Sequence, residues 1–288
     1  MKTIRGRLSI VATPIGNLGD LSPRAMDTLR GASLVAAEDT RHSAPLLAGA
    51  GVHARTISLH EHNEAGRIAT ILATLAAGGD VALVSDAGTP LVSDPGFRLV
   101  RAVRDSGFDV TPIPGPCAAI AALCAAGLPS DRFGFEGFLP ARAAARRARL
   151  AELAGDPRTL ILYESPHRLA ETLADAAVEF GAARHAVLAR ELTKVHETFI
   201  AASLGELAQR VAADPDQRRG ECVLLLAGCA AEDADPRAAE GRRVYTLLCA
   251  ELPPARAARL AAAITGAPRK ALYGNALAED EPGDDEPD

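Results

Sequence analysis

The chain has 288 residues, 48% of them hydrophobic, and a formal net charge of −6, so one large domain or two smaller ones can each bury a core. The charge is lopsided, because EDEPGDDEPD (279–288) carries seven acids and no base and leaves the body ahead of it at +1. Cys117, Cys124, Cys222, Cys229 and Cys249 are odd in number and lack C-x-x-C spacing, which indicates neither a disulfide framework nor a zinc site. No run approaches the roughly 18 apolar residues of a membrane span. The basic and then apolar start, MKTIRGRLSIVATP, is broken at Pro14, too early for a signal peptide, so a cytoplasmic protein is expected. Arginine outnumbers lysine 28 to 3, which makes Lys2, Lys194 and Lys270 stand out.

From the N-terminus, LSIVAT (8–13) predicts a strand stopped by Pro14, and SPRAMDTLRGAS (22–33) a helix with Ser22 as N-cap and Pro23 at its first position. SLVAAED (33–39), RTISLH (55–60), DVALVSD (80–86) and FDVTPIP (108–114) predict further strands, with helices over 64–78 and 96–107. This alternation predicts a mostly parallel sheet with helices on both faces. The pattern then restarts. A buried helix is expected over 116–127, a strand holding Phe133, Phe135 and Phe138 over 133–140, and a basic helix over 141–155. A strand over 159–165, an amphipathic helix over 166–181 and strands over 185–191 and 221–228 complete it. Residues 1–113 and 114–229 are therefore read as two α/β domains. Residues 230–241, small, charged and broken by Pro236, predict a linker. Residues 242–278 predict a small helical appendage with helices over 252–266 and 269–278, too small to fold alone and so expected to dock on the body. The acidic tail 279–288 is expected to be disordered.

Four of these strands end in turn-forming, polar tips: VATPIGN (11–17), VSDAGTPLVSDPG (84–96), PIPGPCA (112–118) and YESPHR (163–168). Free backbone donors at strand ends are what an α/β protein uses to hold a polar small molecule, and four such loops predict one shared pocket. TPIGNLGD is neither G-x-G-x-x-G nor a P-loop, which argues against an ordinary NAD enzyme or kinase. Asp86 and Asp94 stand beside glycine or proline, where carboxylates suit a cation or hydroxyl groups better than a phosphate. ESPHR and RELTKVHE (190–197) gather ionisable groups for proton transfer or charge stabilisation. A helix entry capped by Ser165 and a solvated strand end account for the same residues structurally, and His42 and His62 read as surface or core residues. Arg142, Arg146, Arg147 and Arg149, three to four residues apart, can bring several guanidinium groups onto one face toward phosphates. A solvated basic face accounts for them equally. No aromatic RNA-binding module is evident.

VATPIGNLGDLSPRA, AAEDTRHS (36–43), SDAGTPLVSDPG, PIPGPCA, ESPHR, RELTKVHET (190–198) and RGECVLL (219–225), in this order, closely resemble the ribosomal small-subunit methyltransferase I branch of the tetrapyrrole-methylase superfamily. The resemblance spans residues 7–228, with a looser match at 252–278. It implies an α/β, two-domain tetrapyrrole-methylase-like fold with a small helical C-terminal appendage, and S-adenosyl-L-methionine as donor in the interdomain cleft. It further implies a homodimer that 2′-O-methylates the ribose of cytidine 1402 in 16S rRNA of the small ribosomal subunit. Donor binding is expected of Pro14, Asn17, Asp86, Ala87, Gly88, Thr89, Pro90, Asp94, Pro114, Gly115, Pro116 and Ala118. Catalytic roles are expected of Lys194, Glu164 and His167, and RNA contacts of Arg41, Arg142, Arg146, Arg147, Arg149, Arg168 and Arg190; no metal is expected. Cys117 stands where a serine is usual in this branch, and TPIGN replaces the glycine-rich first loop of tetrapyrrole-methylating relatives. Methylation of a small tetrapyrrole, or a non-catalytic ribosome-binding factor that kept the donor pocket, are the alternative readings.

Overall fold

The computed structural model describes residues 5–60, 63–229, 236–269 and 272. The expectations for His62, for most of 269–278 and for the acidic tail lie outside the described residues.

Strands β1 (Leu8–Val11), β2 (Leu34–Ala37), β3 (Arg55–Ser58), β4 (Val81–Val84) and β5 (Val110–Ile113) form a parallel sheet in the order β3-β2-β4-β1-β5. β2 and β4 are buried along their whole length, so they read as continuous apolar runs rather than alternation. Helices α1 (Pro23–Gly31) and α2 (Thr40–Gly49) cover one face, where Leu29 and Leu47 meet Val11, Val35 and Val84. Helices α3 (Glu64–Ala76) and α4 (Phe97–Asp105) cover the other, setting Ile71, Leu75 and Leu99 against Leu8, Ala36 and Leu83. Ser22 caps α1 by accepting the Ala25 N–H at 3.1 Å. Helix α2 is not foreseen by the pattern, because Pro45 interrupts a polar start.

The second sheet follows α5 (Ala118–Ala125). Its strands are β6 (Phe133–Phe138), β7 (Thr159–Glu164), β8 (His185–Arg190), β9 (Thr198–Ser203) and β10 (Cys222–Leu226), in the order β6-β7-β10-β8-β9. β6 and β7 are parallel, whereas β10 runs antiparallel to both neighbours and β9 to β8. Helices α6 (Ala143–Leu153), α7 (Leu169–Glu179) and α8 (Leu204–Ala213) bury one face, with Leu150, Leu173 and Leu207 on Leu162, Leu188 and Leu224. The opposite face packs α5 together with Ile15 and Leu192. Ile15 follows β1, so the two sheets meet through a loop of the predicted pocket. β9 and α8 are missed by the sequence reading, although Ser203 and Glu206 form a capping box. Ser165 does not cap α7, which begins four residues later after a turn closed by the Arg168 N–H on the Ser165 carbonyl at 3.0 Å.

Helix α9 (Pro236–Cys249) begins inside the segment expected to be a linker. Its proline lies at the first helical position, where it starts a helix rather than breaking one. Helix α10 (Pro254–Thr265) ends at Gly266, whose φ is +70°. The two helices close on each other through Val244, Tyr245, Leu248, Ala258, Ala261 and Leu272. Among the described residues that apolar cluster contains none from the two α/β domains.

Candidate active site

The chain leaves β1 toward α1 on one face of the first sheet and leaves β4 toward α4 on the other. β1 and β4 are neighbours, so the diverging loops open a crevice at the carboxyl ends of the strands, where open α/β sheets bind ligands. Across it the Thr13 N–H donates to the Gly88 carbonyl at 2.9 Å and the Gly88 N–H to the Thr13 carbonyl at 3.1 Å. Gly88 has a φ of +82°, which favours glycine. The Thr89 hydroxyl donates to the Pro116 carbonyl at 2.8 Å and ties in the PGPCA loop. Leu91 and Ser93, at φ +73° and +67°, hold the rest of the β4 loop in left-handed conformations that such side chains adopt rarely.

These loops enclose a cavity of about 430 Å³. Ile15, the Asp86–Thr89 turn, Asp94, Cys117 and Ala118 line one side, and Phe138, Glu164, Ser165, Leu192 and Glu221 the other. All four polar-tipped segments therefore converge, as the sequence predicts. A second cavity of about 390 Å³ shares Ile15, Asp86, Ala87 and Glu221 with the first, and is also lined by Pro14, Asn17, His42 and Lys194. Pro90, Pro114, Gly115 and Pro116 line neither cavity and act on the loops' shape: a β-carbon on Gly115 would lie 3.0 Å from the Ala12 Cβ.

Five carboxylates line the first cavity, Glu38, Asp86 and Asp94 on the side of the first sheet and Glu164 and Glu221 on the other. Asp86 accepts the Asp39 N–H at 3.0 Å. Burial pushes the Asp94 carboxyl above its ordinary range, and the Asp86 charge adds to the effect. Burial also raises Glu38, helped by the charges of Asp94 and Asp86. Such a pocket favours cationic and hydroxyl-bearing ligands over phosphates. Tyr163, which accepts the Ala119 N–H at 3.0 Å, has its phenol pushed up by burial, and burial moves the Cys222 thiol up to about 11. Glu38, Tyr163, Glu221 and Cys222 escaped the sequence reading. Glu38 lies in AAEDTRHS and Glu221 in RGECVLL, but only strand pairing brings them to the cavity. The described residues hold no group of three or more His, Cys, Asp or Glu side chains able to bind a metal ion.

The three candidate catalytic residues do not converge. Glu164 lines the first cavity, but its Oε1 accepts the Ser165 N–H at 2.8 Å and its Oε2 accepts the Thr172 hydroxyl at 2.6 Å, with Arg168 3.4 Å away. Lys194 lines the second cavity and donates to Glu191 at 2.8 Å and Glu221 at 2.9 Å. Partial burial works against its charge, but the two carboxylates outweigh it and raise its pKa. His167 is exposed and lines neither cavity. Glu191 and Thr193 have φ of +52° and +66°, and the Lys194 stem crowds Gly16 so closely that no β-carbon fits there. Lys194 thus joins the first loop to the second sheet.

The arginines separate as well. Arg142 and Arg147 are exposed, but Arg146 is buried, donating to Asp175 at 2.8 Å and Glu171 at 3.2 Å on α7. Of residues 142, 146 and 149 only Arg146 turns fully inward, where it braces two helices and is unavailable to RNA. Arg149 is engaged by Glu136 and Glu152, and Arg168 donates to the Leu139 and Pro140 carbonyls. Arg190 is buried in the sheet. Arg41 is paired with Asp39 yet 90% exposed.

Residues 7–208 match the family of Tetrapyrrole (Corrin/Porphyrin) Methylases, and residues 235–280 match the RsmI C-terminal HTH domain. The chain is 58% identical over 269 residues to Ribosomal RNA small subunit methyltransferase I of Xylella fastidiosa (strain Temecula1), covering 93% of this chain and 98% of that one. It is 56% identical over 273 residues to the Pseudomonas aeruginosa protein of the same name, covering 94% and 97%. The fold superposes with a TM-score of 0.54 on uroporphyrin-III C-methyltransferase from Thermus thermophilus in complex with S-adenosyl homocysteine, at 19% identity over 77% of this chain and 97% of that one.

Proposed function

We propose, since this chain belongs to the tetrapyrrole (corrin/porphyrin) methylase family and to its ribosomal RNA small subunit methyltransferase I branch, that it methylates small-subunit rRNA with S-adenosyl-L-methionine. The acceptor is the ribose 2′-oxygen of cytidine 1402 in 16S rRNA, and the protein acts as a cytoplasmic homodimer. The observation that carries this reading is the convergence of four loops on a carboxylate-lined cavity at the β1/β4 switch point.

The residues present fit the donor. The cavity lies within the range of about 300–1,000 Å³ that small-molecule sites occupy. Ile15, Val92, Leu192 and Val223 offer it an apolar wall, and Glu38, Asp86 and Asp94 complement a positively charged, hydroxyl-bearing molecule. When bound, S-adenosyl-L-methionine supplies a methyl group already activated by its sulfonium. What remains for the protein is alignment and exclusion of water. The Thr13–Gly88 bridge and the strained β4 loop provide a rigid cradle. Lys194, kept as an ammonium by Glu191 and Glu221, offsets charge on the acceptor oxygen rather than taking its proton. Glu38 and Asp94, whose proton affinity burial raises, are better suited to receive it.

The test is methyl transfer from labelled S-adenosyl-L-methionine to purified small ribosomal subunits, followed by mapping of 2′-O-methyl groups on the rRNA. A label at cytidine 1402 is the expected result. Transfer to a uroporphyrin-type acceptor and not to subunits would replace this reading with the tetrapyrrole one.

A further inference from the structure

Strand β6 is FGFEGF, and three of the chain's seven phenylalanines lie within it. It is an edge strand, paired on one side with β7. In a regular strand Phe135 and Phe138, three residues apart, would point to opposite faces. Here a bulge between Phe135 and Gly137 makes Glu136 an extra residue, with Gly137 at φ +63°. The bulge restores the parity, so Phe135 pairs with Ile161, Phe138 pairs with Tyr163, and both rings reach the same face. Their centroids lie 5.0 and 5.7 Å from that of Tyr163, at interplanar angles of 74° and 65°. Tyr163 is itself anchored by the Ala119 N–H. The three rings form a rigid aromatic shelf.

The shelf has an open side. Phe133, Phe135 and Phe138 are 40%, 38% and 57% exposed, and Phe138 and Tyr163 also line the first cavity. Single exposed phenylalanines need no explanation, but a bulge that gathers several at the mouth of a cavity does. Arg142 and Arg147, just beyond the strand, are exposed, and their side chains make no hydrogen bond or ion pair among the described residues. Aromatic faces on a strand followed in the chain by exposed cations match unpaired nucleotides, whose bases stack while their phosphates seek positive charge.

We infer that Phe138, with Phe135 and Tyr163 behind it, stacks an unpaired base of the rRNA strand at the mouth of the cavity. This rests on the rRNA methyltransferase reading above and gives that site its recognition element. The sequence offers no RNA-binding aromatic module because the bulge creates it. The adenine of the donor is the other base within reach of Phe138. Phe135 and Phe133, however, are exposed and lie outside the cavity lining, so the aromatic surface of β6 is not confined to the donor cavity.

The test uses full-length protein, wild type and Phe138→Ala, Phe138→Leu and Phe138→Trp, titrated with purified small subunits over a range of salt in the presence of S-adenosylhomocysteine. Donor affinity is measured for each by calorimetry, which also reports folding of the site. The expected result is a loss of about 5-fold to 150-fold in subunit affinity for Ala and Leu, exceeding any change in donor affinity, and full retention by Trp. The loss should be equal at every salt concentration, because stacking releases no counterions. Leucine binding like wild type, or tryptophan no better than alanine, overturns the proposal. So does a loss confined to donor affinity, which would place adenine on the shelf. Wild-type methyl transfer to subunits with an unaffected Phe138→Ala leaves the rRNA reading standing and removes only the shelf; wild type that neither binds nor methylates subunits removes both.

Discussion

Thr13 and Gly88 exchange both of their backbone hydrogen bonds, which locks the loop after β1 to the loop after β4 at the point where the sheet's connections diverge. The arrangement depends on glycine, because φ is +82° and a β-carbon would lie 3.3 Å from the Ile15 Cγ2. Gly88→Val therefore places a β-branched residue where it is strained, at a cost of about 1–3 kcal/mol. Donor affinity should fall by about tenfold or more while the circular dichroism of the fold persists. Calorimetry with S-adenosyl-L-methionine checks this, and wild-type affinity in the variant would show that the bridge does not shape the site.

Lys194 separates charge from proton transfer. Its pKa is raised above the ordinary 10.5, so any contribution it makes to stability is complete at neutral pH and is lost only as pH rises through the folded value. Lys194→Arg should keep much of the single-turnover rate and Lys194→Ala should lose most of it. Neither the rate nor the stability of wild type should show a lysine titration between pH 7 and about 10. Alanine also leaves Glu191, largely buried, without its ion pair, at a cost of about 1–3 kcal/mol in thermal or denaturant unfolding. A Lys194→Ala enzyme that turns over like wild type would leave Lys194 only its structural place between the loops.

The first sheet and the four converging loops are legible because each rests on local signals: apolar runs ended by proline, glycine and small polar residues. Ser22 caps α1 and Gly266 ends α10 through such signals too. What escaped depends on partners distant in the chain. Glu38 and Glu221 reach the cavity only through strand pairing, and the parity change in β6 is invisible without the register of β7. Arg146 misled for a related reason. Its helical spacing from Arg142 and Arg149 is real, but its own side chain turns inward to Asp175 and Glu171.

That distinction is measurable on α6. Arg146→Gln removes a buried guanidinium from two carboxylates and should destabilise the protein by about 3 kcal/mol. The salt slope of subunit binding should not change. Arg142→Gln and Arg147→Gln should do the reverse, each leaving the melting temperature in place and lowering the slope by about one. A reduced slope for Arg146→Gln with an unchanged melting temperature would contradict the structural assignment.

Asp94 offers a test of the acidic cavity that does not depend on RNA. Its carboxyl is raised from the ordinary 3.8 by burial and then by the charge of Asp86, while Ser85 partly compensates. A carboxyl whose folded pKa exceeds its unfolded value binds more protons in the native state, so native stability declines as pH rises between the two values and stays lower above them. Asp94→Asn removes that pH-dependent cost. The variant should melt higher than wild type at neutral pH, and the gain should shrink as pH falls through the carboxyl range toward 3.8. The same substitution removes a negative charge facing the donor, so affinity for S-adenosyl-L-methionine should fall while stability rises, the exchange expected where a site keeps a strained charge for function. Melting curves across pH, paired with calorimetry, decide it: a pH-independent gain would assign the effect to packing, and unchanged donor affinity would remove Asp94 from the binding site.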